Sequence, residues 1–403
     1  MGEAVNERQL IVSLSRKADE CRVVTFASFS QILTSRRTEL RTSLPSNIRV
    51  VAIPLPQPHI LISACAMAAF SYVLAAILVL LGSLNRLDLV YVRNTSLSCG
   101  LLSARSIARK MIVKVPAMME DEVGDHRVAR ALARVVFSYF DRQALSRAQI
   151  LVANSKSLLR HLVATRHVVP VGRFLEIPPG IDLSLVERVR TEYRAGTKRW
   201  FQIGFIGSLF RWQGVEVLPE ATAIVRREIP DVSLVIIGDG ESRPAVEELC
   251  RRFSIPYEVT GFLPHEDALK RLQMTDVLVV PLGTTATKDS NVPMKIVEAW
   301  ALGVPVVAGR TKALLDGGFQ DRKEIFYCDP TPEGIAKALL ELLNSDELRS
   351  SLTARGQQLA ERYSYDRMAE ELLTAGATTI SQIRTSGTAH PYQGINPFFC
   401  STS

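Results

Sequence analysis

The sequence predicts an α/β protein of two domains, each a parallel sheet wrapped by helices. Three observations carry this. Short apolar runs such as LDLVYVR (87–93), MIVKVP (111–116) and DVLVVP (276–281) alternate with helical stretches along the chain. Such alternation is the pattern of buried parallel strands joined by crossover helices. The alternation pauses at a charged stretch, 183–198, which marks a boundary. A chain of 403 residues is the length of two ordinary domains.

In the first half, Glu7–Lys17 has helical spacing, with Leu10, Ile11 and Leu14 on one side. RVVTFASF (22–29) and IRVVAIPL (48–55) read as strands. A doubly wound domain usually opens on a strand and a glycine-rich turn, whereas this chain opens on the helix. His59–Leu84 is the most apolar segment, and Ile60–Gly82 holds 23 residues without a charge. Three readings stay open for it: a bilayer-spanning helix, a buried helix, or a helix that touches a membrane from one side. Then follow the strand 87–93, a helix over 100–109, the strand 111–116, and an acidic loop at Glu120, Asp121 and Glu122. Val128–Arg147 is an amphipathic basic helix, and Ala148–Ala153 a strand. Asn154-Ser155 caps a helix over 156–163. Phe174–Ile177 is a short strand leading into PPGID (178–182).

The second half repeats the pattern. Strands are expected at 201–207, 232–237, 257–260, 276–281 and 304–308, and helices at 214–227, 243–253, 264–274, 332–343, 345–362 and 365–379. The segment NVPMKIVEAWALGVPVVA (291–308) reads as loop, helix, tight turn and buried strand. Ser290 or Asn291 is expected to cap this helix, with Pro293 in its first turn and Gly303 at its end. Its first turn aims free N–H groups and a positive dipole end at the preceding loop. Lys295 adds a full charge there, and Glu298 lies one turn on, on the same face. The arrangement suits a diphosphate with a hydroxylated group beside it. The plainer alternative is a surface helix with a weak Lys295–Glu298 ion pair.

Composition bounds the partners. Between 104 and 173, Lys and Arg outnumber Asp and Glu thirteen to five, and the whole chain carries +7. A basic face points to anionic partners. No zinc-knuckle spacing or RNA-binding aromatic motif is present, so nucleic acid is not expected. The six cysteines form no CxxC pair and sit mostly in apolar surroundings. They read as buried free thiols of a reducing compartment. The first twenty residues are polar and amphipathic, unlike a signal peptide.

The order of motifs is more specific than any one of them. The second half carries GSLFRWQG (207–214), VIIGDGE (235–241), VTGFLPHEDAL (259–269), TDVLVVP (275–281) and NVPMKIVEAWALGVPVVA in succession. This succession resembles the family 4 (group 1) retaining glycosyltransferases over nearly all of Phe201–Thr374. In the first half DLVYVR, AQILVANS and IPPGID match more loosely, the last resembling the family's PNG(V/I)D element. The resemblance implies a GT-B fold: two Rossmann-like domains facing across a cleft. Since this chain opens on the helix, either the N-terminal domain lacks its first strand or its fold starts irregularly. The expected division is 1–187 for the acceptor side, a linker at 188–199, 200–375 for the nucleotide-sugar domain, and 376–403 as a terminal segment and tail.

The same resemblance implies site residues. Glu298 matches the second Glu of the family's Glu-x7-Glu motif, which holds the donor ribose, while the first falls at Ser290. Lys295 with Pro293 resembles a PxKxxE variant. The family's diphosphate-clamping cations fall at Ser208 and Gln213, so Arg211 and Lys295 are expected to replace them. Glu298, Lys295 and Arg211 are therefore the catalytic candidates. The implied donor-binding set is Gly207, Ser208, Gln213, Gly214, Gly238, Phe262, Leu263, Ser290, Asn291, Val292, Pro293, Met294 and Glu298, with Phe262 and Leu263 against the base. Glu120, Asp121 and Glu122 are acceptor-side candidates, where the family's histidine finds no clear match.

The expected activity is transfer of a hexosyl group from a UDP- or GDP-sugar, with retention, to a lipid-linked or polysaccharide acceptor. Neither cofactor nor metal is expected, since the nucleotide sugar is a substrate and supplies its own leaving group. The expected location is cytoplasmic, peripheral on the inner face of a membrane, with a spanning helix at 60–82 as the variant. Two rivals remain: a non-catalytic nucleotide-sugar-binding subunit and a GT-B sugar-nucleotide epimerase.

Overall fold

The computed structural model describes residues 2–27, 45–54, 60–80, 88–115, 118–119, 127–178, 180–192, 200–282 and 292–386. The chain forms two compact units, one of Met1–Pro178 with Met368–Ser403, the other Pro179–Arg367. This division falls elsewhere than 188–199. Leu183–Glu192 is a helix whose Leu185, Val186 and Val189 are buried in the core of the second unit. Its charges line only the outer side, so a charged stretch here is a packed amphipathic helix.

In the first unit, α1 (Gly2–Ser15) precedes two strands, β1 (Cys21–Ala27) and β2 (Ile48–Pro54), paired parallel from Cys21↔Ile48 to Ala27↔Pro54. A separate parallel sheet runs β3 (Val90–Val92), β4 (Met111–Val115), β5 (Ile150–Ala153), β6 (Arg173–Glu176) in sequence order. β4 and β5 are buried throughout, which explains their apolar reading, broken only by the buried Lys114.

The apolar stretch forms α2 (Ile60–Leu80). It packs closely on α3 (Thr95–Ser103), where Gly100 N–H donates to Ser71 Oγ at 2.8 Å. A Cβ at Gly100 would lie 2.2 Å from the Tyr72 backbone nitrogen, so only glycine admits this crossing. Ala64 and Ala68 join a small cluster with Cys99 and with Ala133, Phe137 and Phe140 of α5 (Arg127–Arg147). The opposite face of α2 leaves Ile62, Val73, Ile77 and Leu80 exposed, and Val128, Leu132, Val135 and Tyr139 form an exposed stripe on α5.

The helix expected over 100–109 starts earlier, because the Asn94 side chain accepts Ser96 N–H and caps α3. It breaks at Ala104 before the short α4 (Arg105–Ala108). Ser155 caps α6 (Lys156–Arg166), as expected. Arg166, fully buried, donates Nε to Asp141 Oδ2 at 2.9 Å, and Thr95 Oγ1 donates to the other oxygen at 2.8 Å. One carboxylate thus ties α3, α5 and α6 together. Cys65 is exposed on α2, unlike the buried Cys99, Cys250 and Cys328.

The second unit begins with α7 (Leu183–Glu192) and a six-stranded parallel sheet. Its strands are β7 (Phe201–Ile206), β8 (Val232–Ile237), β9 (Tyr257–Val259), β10 (Val277–Val280), β11 (Val306–Gly309) and β12 (Phe326–Cys328). The order β12-β11-β10-β7-β8-β9 is doubly wound. One face, with Ile206, Val235, Ile237, Leu278 and Val280, packs on α10 (His265–Gln273) and α11 (Met294–Leu302). The other face, with Phe205, Leu234, Ile236 and Val279, packs on α8 (Leu218–Arg226), α9 (Arg243–Arg252) and α13 (Pro332–Leu343). α12 (Lys312–Asp316), α14 (Asp346–Ala360) and α15 (Tyr365–Ser386) complete the chain. α15 extends beyond its expected end at 379 and crosses from the second unit into the first.

Two element starts differ from expectation. The stretch 214–227 opens as a 3-10 turn, Val215–Val217, before Pro219 sets the first turn of α8. α11 starts at Met294, with Pro293 extended (φ −62°, ψ 131°) at the N-cap position and no side-chain cap. Pro293 thus takes the N-cap position that the sequence assigned to Ser290 or Asn291, which lie outside the described residues. Gly303, at φ 79°, ends α11 as expected.

Candidate functional site

In a doubly wound sheet the connection changes direction between the two central strands, and the carboxyl ends there leave a crevice. Here those strands are β7 and β10. Gly207 ends β7 at φ 137°, and Gly238 ends β8 at φ 144°. A Cβ on Gly238 would sit 2.0 Å from Gly207 O. The two turns are therefore stacked, with Gly207 N–H donating to Ile237 O and Leu209 N–H to Asp239 O, each at 2.9 Å. The stacking holds the 207–214 loop beside β10, where Gly214 lies against Pro281 O.

Lys295 reaches into this crevice from the first turn of α11. Its Nζ donates to Gln213 Oε1 at 2.9 Å and lies 4.3 Å from the centre of the Phe205 ring. A Cβ at Gly207 would lie 2.8 Å from the same Nζ. Burial of the ammonium pushes Lys295 down to about 7, against the opposing attraction of Glu298. The amine has two donor positions beyond Gln213. Lys295, Gln213 and Gly207, separate in sequence, thus meet at one point.

Glu298 is 7% exposed. It forms no pair with Lys295, so the plainer sequence alternative does not hold. Its Oε1 lies 2.8 Å from His265 Nε2. A carboxylate only accepts, so Nε2–H donates. The bond to Glu298 raises the His265 pKa, burial opposes it, and Asp182 adds a smaller upward pull. His265 opens α10 directly after the Gly261–Pro264 turn. Sequence reasoning missed it, because its partner lies 33 residues away.

The remaining candidates divide. Ser208 and Arg211 are exposed, and Arg211 N–H donates to Glu241 Oε1 at 3.2 Å. Among the described residues the Arg211 side chain meets no carboxylate, and it does not join Lys295. Phe262 is 64% exposed, while Leu263 packs against the sheet core. Val292 is buried, and Pro293 and Met294 are half-buried at the head of α11. Ser290 and Asn291, like Glu120, Asp121 and Glu122, lie outside the described residues. Among the described residues no group of three or more His, Cys, Asp or Glu could hold a metal ion. A hollow of about 400 Å³, lined by Thr275, Asp276, Pro305 and Thr353, sits at the opposite strand ends and contains none of these side chains.

Residues 201–345 match the family model described as "Glycosyl transferases group 1". The D-inositol 3-phosphate glycosyltransferase of Corynebacterium urealyticum is 26% identical over 273 residues, 62% of this chain and 60% of that protein. An uncharacterized glycosyltransferase of Methanocaldococcus jannaschii is 30% identical over 198 residues, covering 47% of this chain and 48% of its own. The chain thus spans about half to three-fifths of the length of these curated relatives. Among solved structures, sucrose-phosphate synthase from Thermosynechococcus elongatus superposes with a TM-score of 0.68, 16% identity and 94% coverage of both chains. Anabaena HepE in complex with UDP gives 0.66 at 17% identity, covering 93% of this chain and 96% of that one. At such identities the likeness establishes the fold, which is GT-B. The expected fold class is borne out, and residues 201–345 match the group 1 glycosyltransferase domain.

Proposed function

We propose that the chain transfers a hexosyl group from a UDP- or GDP-sugar, with retention, to a lipid-linked or polysaccharide acceptor. The observation that carries this is Lys295 Nζ, held between Gly207 and Gln213 at the β7/β10 crevice. It supplies from α11 the positive charge that Ser208 and Gln213 do not. A donor diphosphate beside it gains two ammonium hydrogen bonds and the free N–H groups of the uncapped helix. Glu298, one turn on, faces the adjoining ribose, and exposed Phe262 is available to the base.

The reaction asks little of side chains. The acceptor hydroxyl oxygen forms a bond to the anomeric carbon, and the bond from that carbon to the diphosphate oxygen breaks. The electron pair leaves with the nucleoside diphosphate, whose oxygen takes the acceptor's proton. Lys295 and the α11 dipole stabilise the charge that develops. The relatives' names and the UDP in the HepE complex support a nucleotide sugar as donor. Membrane attachment is supported by the exposed apolar faces of α2 and α5 and by the basic excess between 104 and 173. We place the protein on the cytoplasmic face of a membrane.

The test is donor turnover over a panel of UDP- and GDP-sugars, with the anomeric configuration of any product. Release of nucleoside diphosphate, at least tenfold slower in Lys295→Met, supports the proposal. Binding without turnover, even with acceptor lipids or glycans supplied, would leave a non-catalytic binder instead.

A further inference from the structure

Glu298 carries a charge in a place almost closed to water, and such a charge needs a partner. Its partner among the described residues is His265, at 2.8 Å through a single oxygen, Oε1. The two residues come from different elements. His265 is the first residue of α10, and Glu298 sits in the middle of α11. The turn that precedes His265 contains Phe262 and Leu263. Gly261, which opens it, pairs with Gly238 at the end of β8. The His265–Glu298 bond therefore joins the turn of the candidate base loop to the candidate ribose carboxylate.

We propose that His265 is a positioning residue for the nucleoside: by occupying Glu298 Oε1, it turns the second oxygen, Oε2, toward the ribose hydroxyls. The inference rests on the donor reading above, because it needs a ribose at Glu298. No hydrogen bond reaches Oε2 among the described residues, so this oxygen is free to accept one. A carboxylate pinned at one oxygen has lost its rotation about the last side-chain bond, and accepts from a diol in one direction. The charged groups acting on His265 are Glu298 on α11 and Asp182 at the head of α7, and both favour the imidazolium. His265 is 39% exposed along its side chain, so its own burial does not account for the contact. A purely structural pair would serve the fold without affecting how the sugar ring is read.

Calorimetric titration of the full chain with UDP and GDP, and with the 2′- and 3′-deoxy forms of whichever binds, separates these roles. Inorganic pyrophosphate serves as a probe of the Lys295 site alone. The wild type should favour the ribonucleotide by about tenfold or more, the scale of a hydrogen bond to a charged group. His265→Ala should lose most of that preference while binding pyrophosphate as before. His265→Gln, which restores an N–H donor, should recover much of it. Preference kept in His265→Ala but lost in Glu298→Gln would overturn the positioning role and leave the donor reading intact. Pyrophosphate binding lost together with the preference in His265→Ala would mark a structural role and also overturn it. Absence of any nucleoside diphosphate binding to the wild type would remove the donor reading, and this inference with it.

Discussion

Lys295 has an amide oxygen and an aromatic face where a lysine usually has water or a carboxylate. The consequence is an amine that loses its proton near pH 7 when no anion is bound. A diphosphate would restore the charge, so donor binding takes up a proton above that pH. Affinity for a UDP- or GDP-sugar should therefore fall as pH rises above about 7, and Lys295→Met should bind weakly with a flat profile. Titration calorimetry between pH 6 and 9 checks this, and a flat wild-type profile would count against it. The same shift acts on stability with a definite sign. From about 7 to the ordinary value of 10.5, the unfolded chain holds a proton that the folded one has released. This lysine thus makes the free protein more stable as pH rises through that window, and its charging below 7 works against the fold. Lys295 and Glu298 were legible in sequence, because their spacing puts them on one helix face. His265 was not, and Gln213 was named as a donor contact but not as the partner of Lys295, because the contacts that give them these roles cross 33 and 82 residues.

At the scale of elements, the crossing of α2 and α3 in the first unit is controlled by a single residue. Gly100 leaves no room for a Cβ against the Tyr72 backbone. Gly100→Val should force the helices apart and cost about 1–3 kcal/mol or more. Urea unfolding of the full chain would show this as a lower midpoint, and an unchanged midpoint would mean that the crossing yields easily. The β5, β10 and β11 strands were legible because they are buried throughout and apolar without interruption. Helix starts were less so. Asn94 caps α3 six residues before the expected start, and Pro293 holds the N-cap position of α11, without a capping bond, rather than entering its first turn. Capping depends on one residue's backbone angles, and Asn and Pro are tolerated at several positions near a helix start.

For the molecule as a whole, the question is what meets the apolar faces of α2 and α5. α2 is long and apolar enough to cross a membrane by length and composition. Its Ala64, Ala68, Ser71 and Ala75 face is nevertheless buried within the first unit, against α3 and α5. We therefore expect the helix to lie along a bilayer surface, with Ile62, Val73, Ile77 and Leu80 in the lipid and the unit's arginines near anionic headgroups. The protein should co-sediment with anionic vesicles, less so in high salt and less so after Leu80→Glu with Val135→Glu. Complete recovery in the supernatant at low salt would overturn this.

The sequence by itself determined the α/β alternation, the ordered motifs that resemble the group 1 glycosyltransferases, and the helix that carries Lys295 and Glu298. Periodicity and burial act over a few neighbouring residues, so one stretch is enough to reveal them. Only the tertiary structure decided which cation faces Gly207, which base holds Glu298, and which face of α2 is left uncovered. Each of these depends on a side chain meeting another from a distant strand end or helix, and such meetings are created by the winding of the sheet rather than by any local pattern.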